Sequence, residues 1–253
     1  TSTMTVIGAS AGTQATYSTD TVFCGAFSGE LAKNAQQCVG VGPYSLREYN
    51  YGRGTVAIGY RTGERILTGD YSVFVGNQSG ENARYSAYNT MVGHQSGRAT
   101  FNSSYNTYLG AFAGYSNYNN NYNSGVGGLC LYTNQGSSNA AVGYMAAAYA
   151  DVLTSSTVVG AFAAKYSGGA NNTIIGANAS PYVIGSGNCI MGSGTGPHIT
   201  TGNSNILVGV GADTYYASTN YSIAIGSLSV ASGDHSISIG ESIDNKRQYS
   251  VLL

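Results

Sequence analysis

Side chains able to do acid, base or nucleophilic chemistry are few in this chain, and their spacing scatters them. The three histidines, His94, His198 and His235, fall in different segments with no carboxylate at a recurring distance. Asp and Glu together number 11 in 253 residues. Neither a Ser-His-Asp arrangement nor a carboxylate pair for glycoside hydrolysis follows from that distribution. The four cysteines, Cys24, Cys38, Cys130 and Cys189, show no C-x-x-C spacing for zinc and are too few for a disulfide scaffold. Acidic residues also lack the regularity of calcium-binding repeats, and GSGTGPH at 192–198 lacks the lysine and following helix of a phosphate loop. The expectation is a non-enzymatic chain with no metal and no cofactor.

Recurrence is stronger than chemistry. Tyr71, Tyr88, Tyr105 and Tyr122 lie 17 residues apart, each five before a glycine, and Tyr221 returns at the same position. Tyrosines spaced in this way should stack as a ladder, which could serve as a sugar-binding aromatic strip. The competing reading, favoured by parity with the buried positions, is a structural stack at a corner or between chains. A second feature is charge. Arg47, Arg53, Arg61, Arg65, Arg84 and Arg98 interleave with Glu48, Glu64, Asp70 and Glu81, the pattern of a solvated salt-bridged face, with binding to an acidic polysaccharide as the alternative. Residues 99–150 carry no charge at all, and asparagine and tyrosine crowd that span. It could be a glycan-binding strip or a surface packed against copies of the chain. The N-x-[ST] matches at Asn77, Asn102, Asn171, Asn178 and Asn220 are what an Asn/Ser-rich chain yields in any case.

The elements that position these residues come from a repeat covering the whole length. An apolar residue followed by glycine recurs at Gly8, Gly25, Gly42, Gly59, Gly76, Gly93, Gly110 and Gly127, in steps of 17. It continues at Gly143, Gly160, Gly176, Gly192, Gly209, Gly226 and Gly240, in steps of 14 to 17. Three residues after the glycine stands Ala, Ser, Thr or Cys in fourteen of fifteen units, Ile243 being the exception. Before the glycine the chain alternates with period two and is rich in β-branched residues, as in a short strand with one buried face. On this reading the apolar residue before each glycine, with the one two positions earlier, points inward. The aligned Thr90, Thr107, Thr157 and Thr173, with Cys24 and Cys189, would then be interior and Cys38 would face the other way. The glycines, Gly59, Gly76, Gly93, Gly110 and Gly127 among them, would permit a bend or a close backbone approach.

One unit per coil predicts an all-β parallel β-solenoid or β-roll of about fifteen 14–17-residue coils, a single repetitive region over 1–253. A core only two apolar side chains wide per coil predicts further burial between chains. Other features exclude function classes. The net charge of −1 offers no footprint for nucleic acid, and no apolar run approaches the roughly 18–20 residues that span a bilayer.

The stretch YSIAIGSLSVASGDHSISIG at 221–240 resembles the head repeat of trimeric autotransporter adhesins, of the form S-x-A-I-G-x-x-S-x-A-x-G. The 17-residue units NTMVGHQSG and NTYLGAFAG are similar to repeats of bacteriophage tail-fibre proteins. The resemblance implies a left-handed parallel β-roll, three identical chains side by side, and adhesion or host recognition through a cell-surface polysaccharide. It implies an extracellular place, on a virion tail fibre or a cell surface. The final YSVLL matches YSVFV at 71–75, so the chain is expected to be an excerpt of a longer fibre. The alternative function is a self-assembling structural filament or surface-layer subunit. An ice-binding solenoid would present threonine ladders outward, which the inward parity expected here opposes.

Overall fold

The computed structural model describes residues 3–245 and 248–253. Among these there is no helix; the chain is a parallel β-solenoid of about fifteen turns. It forms two compact units, 1–132 and 133–253.

In the first unit a continuous ladder runs through Met4–Ile7, Thr21–Cys24, Val39–Val41, Val56–Ile58, Val73–Val75, Thr90–Val92, Thr107–Leu109 and Ser124–Val126. Each strand pairs in parallel with the same segment of the next coil. Val56, Ala57 and Ile58 face Val73, Phe74 and Val75, which in turn face Thr90, Met91 and Val92. Short strands at Ala35–Gln36 and Gly52–Arg53, and at Ala99–Phe101 and Ser116–Tyr118, make lesser pairs elsewhere on the coil. The second unit repeats the plan from Ala140–Val142 to Val251–Leu252, with Asp213–Thr214, Val230–Ala231 and Asp244–Asn245 as a three-stranded companion sheet.

Segments between strands are turns, yet their backbone groups also bond from coil to coil. Gly63 N–H donates to Ser79 O, Gly80 to Ser96 O and Gly97 to Ala113 O, each at 2.9 Å. Such rungs satisfy the buried amides that loops would otherwise orphan. The recurrent glycine takes φ between 132° and 141° at Gly59, Gly76, Gly93, Gly110 and Gly127, a region L residues rarely enter. A Cβ on Gly76 would also fall inside contact distance of the Gly93 carbonyl oxygen, so this glycine is both a bend and a close approach, as expected.

The strand faces are the reverse of the expected assignment. In each three-residue strand the middle residue is buried, as is Phe23 in Thr21–Cys24: Phe23, Ala57, Phe74, Met91, Tyr108, Val158, Ile174, Ile190 and Leu207 are all 0% exposed. The apolar residue before the glycine points out, with Ile58, Val92, Leu109, Val126, Val142 and Ile239 between 36% and 45% exposed. Thr90, Thr107 and Thr173 are half-buried and Thr157 exposed on that same outer face, while Cys24 and Cys189 are half-exposed and Cys38 is buried. The reason is volume. A coil this narrow admits one strand side chain, and that side chain must fit the residue six positions later, beyond the turn. Where the strand carries Phe74 or Tyr108, the later residue is Gly80 or Gly114; where the strand carries Gly40 or Gly125, it is Leu46 or Leu131. The small residue three after the glycine is interior, with Ser28, Ser79, Ser96, Ala113 and Cys130 buried.

Candidate binding surface

Four surfaces are built on this frame. The first is the tyrosine column. The residue five before the glycine sits at a left-handed corner in every coil where it is a tyrosine, with φ of 50° to 61° at Tyr71, Tyr88, Tyr105 and Tyr122. That corner throws the side chain outward and aligns the rings one coil apart. Centroids stand 5.6, 4.9 and 5.3 Å apart along the column, at interplanar angles of 27°, 3° and 13°. The rings are 46% to 61% exposed. Tyr88 and Tyr105 lie flat between two neighbours, so both their π faces are occupied. Edges and phenolic hydroxyls are what the column offers to a ligand. Tyr221, His235 and Tyr249 form a second such stack at 5.0 and 4.9 Å.

The second surface is the charged column. Glu30, Arg47, Glu64, Glu81 and Arg98 occupy one position on successive coils, five after the glycine. Glu64 and Glu81 are adjacent like charges, and Arg61 spans them, with Nε 2.7 Å from Glu64 and Nη1 3.5 Å from Glu81. Arg47 Nε meets Glu30 at 2.8 Å, and Arg98 Nε meets Glu81 at 2.6 Å. The carboxylates lie deeper than a solvated face would place them: Glu64 is 0% exposed. Their hydrogen bonds push the Arg47, Arg61 and Arg98 guanidinium groups above their usual range. With three acids matched to three arginines, the column is a closed network. Arg65 and Arg84 make no ion pair among the described residues.

The uncharged stretch 99–150 is less a surface than its composition suggests. Asn106, Asn117, Asn120, Asn123, Asn134 and Asn139 are buried. Asn89 Oδ1 accepts from Asn106 N and Asn106 Oδ1 from Asn123 N, each at 2.9 Å, while Asn89 Nδ2 donates to Ser103 O. This interior amide ladder recurs through Asn172, Asn188 and Asn205. Its signal was present in the sequence as Asn four before the glycine, but asparagine there reads as turn chemistry.

The third surface is the outer face of the strand ladder, a band of Val, Ile, Leu and Thr two side chains wide. The fourth, missed by spacing, is a pair: His198 Nδ1 and Asp213 Oδ2 meet across successive coils, with His198 exposed and Asp213 buried. Burial holds the Asp213 carboxyl above its ordinary value, and the hydrogen bonds from His198 and Thr214 pull the other way. Among the described residues no group of three or more His, Cys, Asp or Glu could hold a metal ion, and no helix is long and apolar enough to cross a membrane.

These features define a parallel β-solenoid repeat protein with an apolar ladder face and an aromatic corner column. No protein-family model matches the chain, and the curated proteins contain no match to it.

Proposed function

We propose that the chain is a non-enzymatic fibre segment of a phage tail fibre or comparable surface adhesin, working outside the cell as a homotrimer and binding a host cell-surface polysaccharide. The observation that carries the reading is the outer ladder face. Eight rungs at about 4.8 Å, with a face roughly 10 Å wide, give each unit roughly 400 Å² of largely apolar surface. Each unit by itself thus offers about half of the roughly 800 Å² that one partner contributes to a standard interface. A band of that extent, on a chain with only 8% charged residues, is better matched by copies of itself than by water. Three side-by-side copies would bury it and leave the corner columns outside, where the tyrosine hydroxyls can meet a glycan.

Light scattering on the purified chain, before and after heating in detergent, tests this. A trimer mass is expected, and Val73→Glu with Val75→Glu should reduce it to the monomer while the strand signal in circular dichroism persists. A native monomer would refute the trimer, and open-ended polymers would favour the filament function instead.

A further inference from the structure

The geometry points to a saccharide subsite in the second unit, in a hollow of about 370 Å³ whose lining includes Tyr216, Ser218, Thr219, Ser232, Asp234 and Gln248. The inference deepens the receptor-binding part of the proposed function and rests on it. The volume falls within the range of small-ligand sites.

Three observations carry it. The first is unused hydrogen-bonding capacity. Asp234 Oδ1 accepts from Asn220 N at 2.8 Å, which leaves Oδ2 with no partner among the described residues. Thr219 is 2% exposed and its Oγ1 is buried without a hydrogen bond. A buried hydroxyl left unpaired is destabilising and calls for an explanation. The second is a ring face. Unlike the tyrosines of the corner columns, Tyr216 meets its neighbour Tyr215 edge-to-face, at 4.9 Å and 83°, and is 58% exposed. A perpendicular pair occupies at most one face of either ring, so Tyr216 keeps a face on which the C–H side of a sugar can lie. The third is preorganisation. The Tyr216 carbonyl accepts from Thr219 N at 3.2 Å and from Thr214 Oγ1 at 3.1 Å, which fixes the turn carrying the ring.

An apolar platform beside a carboxylate, hydroxyls and an amide is chemistry for a ligand rich in hydroxyl donors. The carboxylate of Asp234 is the one charge among these lining residues, so an uncharged hexose or N-acetylhexosamine fits, and an acidic sugar does not.

The test is ligand-observed saturation-transfer NMR on the full chain, with N-acetylglucosamine, methyl glucoside and methyl galactoside as probes. At least one should bind, and Tyr216→Ala or Asp234→Asn should weaken it tenfold or more. Asp234→Asn keeps the acceptor for Asn220 N, so the turn survives it. Loss of binding in Tyr105→Ala with none in Tyr216→Ala would overturn the subsite and leave polysaccharide attachment standing. Binding of no probe, or binding indifferent to both subsite variants, would also overturn it. A monomeric mass with Tyr216-dependent binding would instead uphold the subsite while refuting the trimer.

Discussion

The interior is set by a size relation between the middle strand residue and the residue six positions on, and an exchange of the two tests it. Phe74 is fully buried, and a Cβ on Gly80 would stand 2.6 Å from its Cε1. Replacing Phe74 by Gly removes a whole ring, at about 3–5 kcal/mol for the cavity and about 0.5–1 kcal/mol more for glycine in a strand. Replacing Gly80 by Leu forces a side chain into a left-handed site at about 1–2 kcal/mol and overpacks the ring at about 1–3 kcal/mol. Independent effects would sum to roughly 5–11 kcal/mol. Combined, however, Phe74→Gly and Gly80→Leu recreate the arrangement of Gly40 with Leu46, where Leu46 is buried at φ 49°. The leucine refills the cavity, and the left-handed penalty, the strand-glycine penalty and a small volume deficit remain, about 2–4 kcal/mol in all. Urea unfolding followed by circular dichroism, at one protein concentration because association contributes, gives the three differences. A double variant within about 0.5 kcal/mol of the sum of the singles would refute the size relation.

Two further outcomes follow from the reversed strand faces and the His198–Asp213 pair. Cys38 and Cys130 are buried, and desolvation raises both thiols, Cys130 to about 12, so neither should react with a maleimide in the folded protein. Cys24 and Cys189, on the outer face, should be slow in the proposed trimer and fast once Val73→Glu and Val75→Glu dissociate it; labelling of Cys130 at the rate of Cys24 would contradict the assignment of faces. The Asp213 carboxyl, held by burial above its ordinary 3.8, binds its proton more readily folded than unfolded. Its contribution to stability is therefore present in acid and lost as pH rises through the folded value. Asp213→Asn should flatten the dependence of stability on pH as pH rises from 3.8, and a carboxyl midpoint at or below 3.8 by NMR would exclude this.

The coil period, the parallel solenoid and the turn glycines were legible because each depends on backbone geometry that only certain residue types permit. Gly59 and its equivalents recur for a steric reason, and a steric reason leaves a trace at every repeat. The direction of the strand faces was not legible by hydrophobicity, because Val and Ile at the outer positions are more apolar than Ala57, Gly40 or Ser238 inside. Alternation marks two faces without saying which is interior. The trace that does say so is the pairing of Phe74 with Gly80 and of Gly125 with Leu131, a correlation between positions rather than a property of either. The tyrosine column was placed by its period alone, whereas its occupied ring faces depend on a left-handed corner that tyrosine does not announce. His198 and Asp213 lie 15 residues apart, two short of the 17-residue step from Gly192 to Gly209, so no fixed spacing brought them together.

Polarity in this chain is turned inside out relative to a globular core. The interior holds asparagine ladders and serines whose hydrogen bonds run from coil to coil, and the exterior holds a band of β-branched side chains. A narrow coil explains the first half: with backbone carbonyls close to every interior position, Asn and Ser find partners that a wider core would not offer, as Asn106 does at Asn120 O and Ser96 at Tyr108 O. The second half follows from the first. An interior filled with amides and hydroxyls buries too little apolar surface to offset the ordering of the chain, so the missing burial has to come from the outer ladder face. Another apolar ladder is the surface best matched to that face, so dissociation of the proposed trimer is expected to lower the stability of the solenoid while leaving its strands in place.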